Sequence, residues 1–480
     1  MPAGRAPARV VLISIDTLRA DHLGTYGHSR FTSPILDQLG LEGAVFEDAS
    51  ATAPWTLPSH ASLLTGLYPA RHGVTTSRTA LPDGLPTLAS LLRDRGFETA
   101  AIVNSPWLHR DSFGLTRDFQ RYDAVHDPDY KRRSPSTRIT DRAIEWLGEL
   151  RDRRLLLFVH YYDVHADYAS LPAYEKLFVE PYAGTADGSA WQLMRANFAE
   201  EHIRKCQESF DPAYCEFGSS EKPRRIDAAY EPVTLTAEDV GHLERLYDAG
   251  IRQMDTEIGR LVGFLRSEGL LDDTLLVVTS DHGEEFMEHG RVDHFLTTYQ
   301  ESLHVPLIFR GPGVPAGLRI REPVSSVDVV PTILALVGGD SGAGPEASTA
   351  SELEGLDLTP LFVGAKPAGV ESRTIFGEAS GGLQYDEAIR GVYPVYASIR
   401  RGRYKGVYDA TSETFALFDL ASDPHEQIDL ARREPELASE LERAVRARLE
   451  ATARRAPRGA APQLDPSERD QLRALGYIAE

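Results

Sequence analysis

The sequence predicts an α/β fold, with a large, mostly parallel sheet flanked by helices and a small C-terminal α+β subdomain. From residue 8 to about residue 165, apolar strand-like runs alternate with segments of helical periodicity. This alternation is typical of βαβ units, which build parallel sheets covered by helices on both faces. Beyond about residue 372, hairpin-like strands at 398–409 and 415–420 precede a helix rich in Ala, Arg and Glu. That change of pattern favours a separate antiparallel subdomain.

The first hundred residues supply two predicted strands and two predicted helices. VVLISI at 10–15 is typical of a buried strand. A helix is expected to begin near Pro58, because proline is favoured at the first helical position and keeps the preceding residue extended. PTLASLLRDRGF at 86–97 predicts a short helix closed by Gly96, and ETAAIV at 98–103 predicts the strand that follows.

The middle of the chain continues the same alternation. Apolar residues recur at helical spacing over 139–150 and lead into the predicted strand LLLFV at 155–159. A long amphipathic helix with a capped start at Thr236 precedes the strand TLLVVTS at 274–280. VPLIFRG at 305–311 predicts one more strand of the sheet.

We expect a catalytic domain over 8–371 and a C-terminal subdomain over 372–480. Residues 166–235 lack sustained periodicity and are interpreted as an insertion near the site. Such an insertion either shapes substrate choice, closes as a lid, or is a passive surface excursion. It contains both cysteines, Cys206 and Cys215, which leaves a short disulfide loop open as an alternative.

Composition and charge exclude several functional classes. The 480 residues are 42% hydrophobic and 26% charged, which is typical of a soluble globular protein. A net charge of −21 argues against a nucleic-acid-binding protein. The N-terminal apolar run is six residues long, too short for a signal peptide or a membrane span. The expectation is a cytoplasmic protein with no membrane span, and the oligomeric state stays open.

Metal-ligating side chains follow three of the predicted strands. They are Asp16, then His160, Asp163 and His165, and then Asp281 and His282. In open parallel sheets, ligands bind beyond the carboxyl ends of the strands. Carboxylates and imidazoles suit Mg²⁺, Ca²⁺, Mn²⁺ or Zn²⁺, with geometry deciding among them. The sequence therefore predicts a divalent metal site at this edge of the sheet.

Four motifs in order carry a resemblance to a known family. They are IDTLRADHLGTYG, TLPSHASLLTGLYPARHG, TSDHGEEFMEHG and FDLASDPHEQIDLA. Together they resemble the sulfatase family within the alkaline phosphatase superfamily, over about residues 9–430. The resemblance implies an alkaline phosphatase-like sheet and a metal held by Asp16, Asp281 and His282. It also implies that the side chain at position 56 is both a metal ligand and the nucleophile.

Position 56 departs from the formylglycine-type sulfatases that the motifs resemble. Those enzymes carry Cys/Ser-x-Pro-Ser-Arg, whereas this chain has Thr-Leu-Pro-Ser-His from Thr56 to His60. Oxidation of a threonine would give a ketone instead of an aldehyde, so no formylglycine is expected. The family also commonly has an aspartate where this chain has Thr17. With one charge fewer, Zn²⁺ or Mn²⁺, or a less tightly held Mg²⁺ or Ca²⁺, is expected.

A threonine nucleophile at position 56 resembles the threonine nucleophiles of nucleotide pyrophosphatase/phosphodiesterases and of phosphoethanolamine and lipoteichoic-acid transferases. A bound metal lowers the pKa of a coordinated hydroxyl, and a helix N-terminus favours an anionic ester. The leading hypothesis is a metal-dependent hydrolase of phosphate mono- or diesters that forms a covalent intermediate on Thr56.

Further roles are assigned by position in the motifs. The resemblance implies that His165 and His294 contact the ester oxygens or protonate the leaving group. Either histidine could instead bind a second metal with Asp163 or His160. Anion contacts are expected from His60 and Arg19, and structural roles from His72 and His289.

Three alternatives remain open at the level of sequence. The first is a sulfuric-ester hydrolase that uses unmodified Thr56. The second is a phospho-group transferase, and the third is a catalytically silent relative that binds an anion. The expected substrate is a small-molecule or saccharide ester, and no nucleic-acid partner is expected.

Overall fold

The computed structural model describes most of the chain. The described residues are 6–76, 79–105, 107–108, 113–125, 135–197, 232–338, 353–370, 372–379 and 395–455. The two cysteines of the possible disulfide, Cys206 and Cys215, lie outside these ranges. Within them, no helix combines the length and the apolar character needed to cross a bilayer.

Fifteen strands form three sheets in the described part of the chain. In chain order they are β1 Arg9–Ile15, β2 Ala44–Ser50, β3 Glu98–Val103, β4 Arg121–Ala124, β5 Leu155–Tyr161, β6 Thr274–Ser280, β7 Glu285–Phe286, β8 Val292–Asp293, β9 His304–Arg310, β10 Leu318–Ile320, β11 Val324–Ser325, β12 Ile375–Ala379, β13 Tyr396–Arg401, β14 Tyr404–Asp409 and β15 Thr414–Asp419.

The largest sheet has the order β10-β2-β9-β6-β1-β5-β3-β4, with β11 beside β2. Its neighbours pair in parallel except at β9, which is antiparallel to both β6 and β2. The predicted mostly parallel sheet is therefore confirmed. The single reversed strand lies beside β6 and leaves the run from β6 to β4 fully parallel.

Strand β1 lies at the centre of the sheet, between β5 and β6. All seven of its residues are buried, as expected for a strand covered on both faces. Its last residue, Ile15, is in register with Tyr161 of β5 and with Ser280 of β6. The carboxyl ends of three strands therefore lie side by side, and the residues that follow them are brought to one place.

Helices cover both faces of this sheet. In chain order the helices are α1 Pro34–Leu41, α2 Thr56–Thr65, α3 Pro69–His72, α4 Leu88–Arg93, α5 Pro135–Glu149, α6 Pro172–Phe178, α7 Ala190–Asn197, α8 Ala237–Ser267, α9 Gln300–Leu303, α10 Val329–Leu336 and α11 Pro435–Arg455. Apolar residues of α2, α4 and α10 pack on one face, and those of α1, α5 and α8 pack on the other.

Two predicted boundaries differ from the structure. Helix α2 begins at Thr56, with extended Trp55 as its N-cap, two residues before Pro58, near which the start is predicted. The proline is tolerated at the third helical position because amides of the first turn have no partner inside the helix. Strand β5 continues through His160 and Tyr161. These boundaries place Thr56 inside helix α2 and His160 inside strand β5.

The C-terminal part of the chain forms a four-stranded antiparallel sheet in the order β12-β13-β14-β15. Leu441 and Val445 of α11 pack against Ile399 and Leu417 of this sheet. The turn between β13 and β14 contains Gly402 at φ +58°, in the left-handed region that favours glycine. These elements agree with the predicted α+β character, and the boundary at residue 372 stays a prediction.

A buried polar network joins the two parts of the chain. Lys405 Nζ lies 2.9 Å from Glu426 Oε1 and 3.1 Å from Gln300 Oε1. His289 Nδ1 lies 2.6 Å from Glu301 Oε1, and its Nε2 lies 3.1 Å from the Glu426 carbonyl oxygen. The segment that follows β6 is thereby anchored to the C-terminal residues, and His289 makes the kind of contacts expected of a structural histidine.

The His289 contacts predict a pH-dependent contribution to stability. Burial opposes protonation of the ring, but Glu301 and Glu426 outweigh it and raise the pKa of His289 above its ordinary value. This contribution is therefore complete below about pH 6.5 and is lost as pH rises through the raised pKa. We expect the difference in free energy of unfolding between the wild type and His289→Gln to shrink between about pH 6 and about pH 9. A constant difference in chemical denaturation across that range would contradict this.

Candidate active site

The predicted metal ligands meet at the carboxyl edge of the large sheet. Asp16 follows β1, and Asp281 and His282 follow β6 directly. Ligand atoms of these three residues all lie within 4.8 Å of one another. His282 Nε2 lies 3.6 Å from Asp16 Oδ1 and 3.4 Å from Asp281 Oδ2. The adjacent strands β1 and β6 thus bring Asp16 close to Asp281. These two residues are 265 positions apart in the sequence, as are Ile15 and Ser280, which are also in contact.

The donor set fits a divalent cation. Both carboxylate oxygens of Asp16, Oδ2 of Asp281 and Nε2 of His282 are buried, and none has a hydrogen-bond partner among the described residues. Burial raises the pKa of Asp16 to about 7, against the opposing effects of His294 and Thr56. Burial and the nearby Asp16 raise the pKa of Asp281. Buried, unpaired carboxylates are unfavourable unless a cation compensates them.

Neighbouring backbone groups orient the ligand atoms. The His282 Nδ1 atom lies 2.9 Å from the Gly283 carbonyl oxygen, which accepts its proton and leaves the Nε2 lone pair free. Asp281 Oδ1 accepts the backbone N–H groups of Thr17 and His282, at 3.3 and 3.0 Å. The free Asp281 Oδ2 and His282 Nε2 are therefore the atoms that remain for a metal.

Thr56 is the first residue of α2 and lies against the acidic pair. Its residue exposure is 3%, and its side chain interacts with the Asp16 carboxylate. One turn later, Ser59 Oγ donates to the Asp281 carbonyl oxygen, which fixes the start of α2 against the end of β6. The hydroxyl and the unpaired amides of the first helical turn therefore face the same region as the carboxylates.

The two predicted catalytic histidines lie beside the metal ligands. The ring of His294 lies 4.6 Å from the ring of His282 and 4.8 Å from that of His165. Burial lowers the pKa of His165, and His294 lowers it further, so this ring is neutral. His165 also stacks on Tyr162 at 4.3 Å and interacts with the Ala166 carbonyl oxygen through Nδ1.

His294 has the opposite charge state. Its Nδ1 lies 2.7 Å from Asp293 Oδ1 and 3.2 Å from Glu284 Oε1. Burial opposes protonation, but the two carboxylates outweigh it and raise the pKa of His294 well above its ordinary value. The imidazolium is thus held through Nδ1, while Nε2 has no hydrogen bond to any described residue.

Sequence reasoning missed Glu284 and Asp293. Glu284 is fully buried, and burial raises its pKa to about 7. Asp293 and Phe295, on either side of His294, both have φ of +69°. Non-glycine residues with positive φ are uncommon and concentrate at functional sites. The signal available in the sequence was Asp293 directly before His294 and Glu284 two residues after His282, but their mutual contact depends on the fold.

His60 is enclosed within the protein. The residue is fully buried, with Nδ1 2.8 Å from the Thr56 carbonyl oxygen and Nε2 2.9 Å from Ser14 Oγ. Both ring nitrogens are therefore engaged, and burial lowers its pKa well below the ordinary value. These contacts favour a role in supporting the start of α2 and do not support the predicted contact with a substrate anion.

Arg19 is also occupied by protein partners. Its guanidinium donates to Asp21, to Glu288 and to the Glu284 carbonyl oxygen. The two ion pairs explain why the pKa of Arg19 is raised despite its burial. As with His60, the contacts favour a structural role, and binding of substrate by Arg19 stays a prediction.

Asp163 does not join the metal ligands in the described structure. Its Oδ2 accepts the Ser136 backbone N–H at 3.0 Å, and its Oδ1 accepts Gln253 Nε2 at 2.8 Å. His160, the other residue suggested for a second metal, has Nε2 3.2 Å from Asp16 Oδ2.

Comparison with known proteins identifies a hydrolase acting on sulfuric or phosphoric esters and also supplies its family. The sulfatase family model matches residues 8–339, and the model of the N-sulphoglucosamine sulphohydrolase C-terminal region matches residues 287–455. The chain belongs to the sulfatase family.

Individual relatives extend this similarity over most of the chain. A choline-sulfatase of Rhizobium meliloti (strain 1021) is 26% identical over 445 residues, covering 88% of this chain and 82% of the relative. The structure of a phosphonate monoester hydrolase of Agrobacterium radiobacter has a TM-score of 0.67 at 23% identity, covering 94% and 96%. A protein solved with its substrate D-glucosamine-2-N,6-O-disulfate has a TM-score of 0.68 at 19% identity, covering 94% and 99%.

Gly283 provides a test of how backbone packing orients His282. A Cβ at Gly283 would lie 2.0 Å from the Glu301 carbonyl oxygen, so the backbone carrying the His282 ligand would have to shift. We expect Gly283→Ala to destabilise the protein by about 1–3 kcal/mol and to lower the metal-to-protein ratio. Gly263→Ala is the matched control, because nothing lies within 4 Å of a Cβ built there. Thermal unfolding and elemental analysis measure both effects, and full metal occupancy in Gly283→Ala would contradict the argument.

Proposed function

We propose that this protein is a metal-dependent hydrolase of phosphate mono- or diesters that forms a covalent intermediate on Thr56. One observation carries the proposal. The Thr56 hydroxyl, at the start of a buried helix, interacts with the carboxylate of Asp16, which is fully buried and close to Asp281 and His282. This arrangement suits an activated hydroxyl beside a cation and an anionic ester.

The proposed metal ligands are Asp16, Asp281, His282 and the Thr56 hydroxyl. When bound, a divalent cation would lower the pKa of that hydroxyl and neutralise charge on the ester. The mixed carboxylate and imidazole donors favour Zn²⁺ or Mn²⁺ over Mg²⁺ or Ca²⁺. The amides at the start of α2 would bind the non-bridging oxygens of the ester through hydrogen bonds.

His294 is the proposed general acid. Thr56 Oγ, after its proton has passed to solvent, forms a bond to phosphorus while the bond from phosphorus to the leaving oxygen breaks. The leaving oxygen receives the proton of His294 Nε2, because Asp293 and Glu284 hold the ring protonated from the Nδ1 side. Water then attacks the phosphothreonine, and its proton returns to His294 as the Thr56 oxygen leaves. Neutral His165 would contact the ester oxygens.

The choice of phosphate over sulfate depends on the chemistry of threonine. An aldehyde hydrate can expel sulfate by elimination, but a threonine ester of sulfate has no such route and must wait for water to attack sulfur. The fold shared with a phosphonate monoester hydrolase supports phosphoester chemistry. The resemblance to a choline-sulfatase makes hydrolysis of sulfate esters through unmodified Thr56 the second candidate.

The substrate is proposed to be a small-molecule or saccharide ester. The choline-sulfatase relative and the structure with a disulfated glucosamine support these two substrate classes. The assembled set of Asp16, Thr56, Asp281, His282 and His294 argues against a catalytically silent relative. No observation on the described residues favours transfer to an acceptor alcohol over transfer to water.

Substitution of Thr56 tests the covalent mechanism. We expect Thr56→Ala to lose at least about 10³-fold in turnover of p-nitrophenyl phosphate or bis-p-nitrophenyl phosphate, because the nucleophile is removed. Thr56→Ser should retain activity, since its hydroxyl is preserved. The rates are measured with Zn²⁺ or Mn²⁺ supplied, and bound metal is quantified in each variant. Thr65→Ala is the control, because its hydroxyl donates within α2 to the Ala61 carbonyl oxygen.

Two outcomes would change the proposal. Phosphoester turnover that survives Thr56→Ala would remove the covalent intermediate. Turnover of p-nitrophenyl sulfate that exceeds phosphoester turnover, and that is lost in Thr56→Ala, would establish the sulfatase alternative.

The loss of turnover caused by removing the His294 proton should depend on the leaving group. We expect His294→Gln to lose on the order of 10²–10⁴-fold on phenyl phosphate and much less on p-nitrophenyl phosphate, whose leaving group needs no proton. Because the acid must be protonated and its pKa is raised, wild-type turnover of phenyl phosphate should fall only as pH rises through that pKa. The variant should lack this alkaline limb. Equal losses on both substrates would exclude a general-acid role.

A further inference from the structure

The strongest unexplained group beside the site is the imidazole of His160. The residue lies in β5, in register with Ser14 of β1, and is fully buried. Neither Nδ1 nor Nε2 has a hydrogen-bond partner among the described residues. A buried ring with two unpaired nitrogens is unfavourable unless something outside the protein chain satisfies it. The mechanism proposed above gives His160 no task.

We infer that His160 is a ligand of the same metal ion as Asp16, Asp281 and His282. The inference rests on the proposed function, since it assumes that those three residues hold a metal. It adds a second imidazole to the coordination sphere and thereby defines the chemical class of the ion as a transition metal.

Distances around Asp16 support this assignment. His160 Nε2 lies 3.2 Å from Asp16 Oδ2, while His282 Nε2 lies 3.6 Å from Asp16 Oδ1. The Asp16 carboxylate is thus flanked by one imidazole at each oxygen. Two ligand atoms that are each about 2.0–2.2 Å from one ion lie about 2.8–3.6 Å apart at right or tetrahedral angles. Both separations fall in this range.

Contacts with Asp281 link His160 to the rest of the site. Ligand atoms of His60, His160 and Asp281 all lie within 4.8 Å of one another, and Asp281 is also a member of the group with Asp16 and His282. Because the two groups share a carboxylate, one ion between them can reach both imidazoles. Two carboxylates with two imidazoles are donors that suit Zn²⁺ and similar ions better than Ca²⁺ or Mg²⁺.

His60 is a histidine of the same region that cannot take this role. Its ring lies 5.1 Å from that of His160, but its Nδ1 must donate to the Thr56 carbonyl oxygen. Its Nε2 is then left to accept from Ser14 Oγ at 2.9 Å. With both nitrogens engaged, His60 is the matched control for His160.

Pulsed electron paramagnetic resonance of the protein loaded with Cu²⁺ counts coordinated imidazoles. We expect two in the wild type, two in His60→Asn and one in His160→Asn. In competition with a chelator, His160→Asn should weaken Zn²⁺ binding on the order of 100-fold while changing Ca²⁺ binding by less than about threefold. Neither readout requires turnover.

The outcomes separate this inference from the proposed function. One coordinated imidazole in the wild type would overturn the role of His160 and leave a metal site formed without it. Failure of the wild type to bind metal would overturn both the inference and the metal-dependent mechanism. If His160→Asn does not fold, the wild-type count alone decides, because two imidazoles support the inference and any other number contradicts it.

Discussion

The site depends on one electrostatic constraint, the burial of two carboxylates in the same place. The register of β1 with β6 carries Asp16 and Asp281 to one edge, where water does not solvate them. Lost hydration raises the pKa values of both groups, and repulsion from Asp16 raises the pKa of Asp281 further. Such a pair of carboxylates is stable with both groups ionised only when positive charge lies beside it. The features around it supply that charge from several directions, including the N-terminus of α2 and the imidazolium of His294.

The cationic ring of His294 lies near this pair of carboxylates, and the carboxylates that hold the ring lie beyond it. His294 is cationic because Asp293 and Glu284 hold it, and Arg19 donates to the backbone at Glu284 while pairing with Asp21. Both of these buried cations, His294 and Arg19, therefore have carboxylate partners. The arrangement keeps the histidines in different states, with His294 protonated and its neighbours neutral, although their rings lie within 5 Å of one another.

Local patterns were sufficient to predict the strands that build the site. Continuous apolar runs located β1, β5 and β6, and the residues directly after them gave Asp16, Asp281 and His282. The start of α2 was less predictable, because a proline is compatible with any position of the first turn. The carboxylates around His294 were missed since their contacts join β7 and β8 through tertiary structure. His60 and Arg19 also have partners distant in sequence, Ser14 and Glu288, which the residues next to them did not indicate.

The network that joins Gln300 and His289 to Lys405 and Glu426 has a consequence for synthesis of the protein. The segment between β6 and β9 carries the proposed general acid, His294, and the proposed metal ligands Asp281 and His282, yet part of its support comes from residues more than a hundred positions further along the chain. During translation, the metal ligands emerge long before these supports do. The catalytic segment can therefore reach its final form only when the C-terminal sheet has left the ribosome.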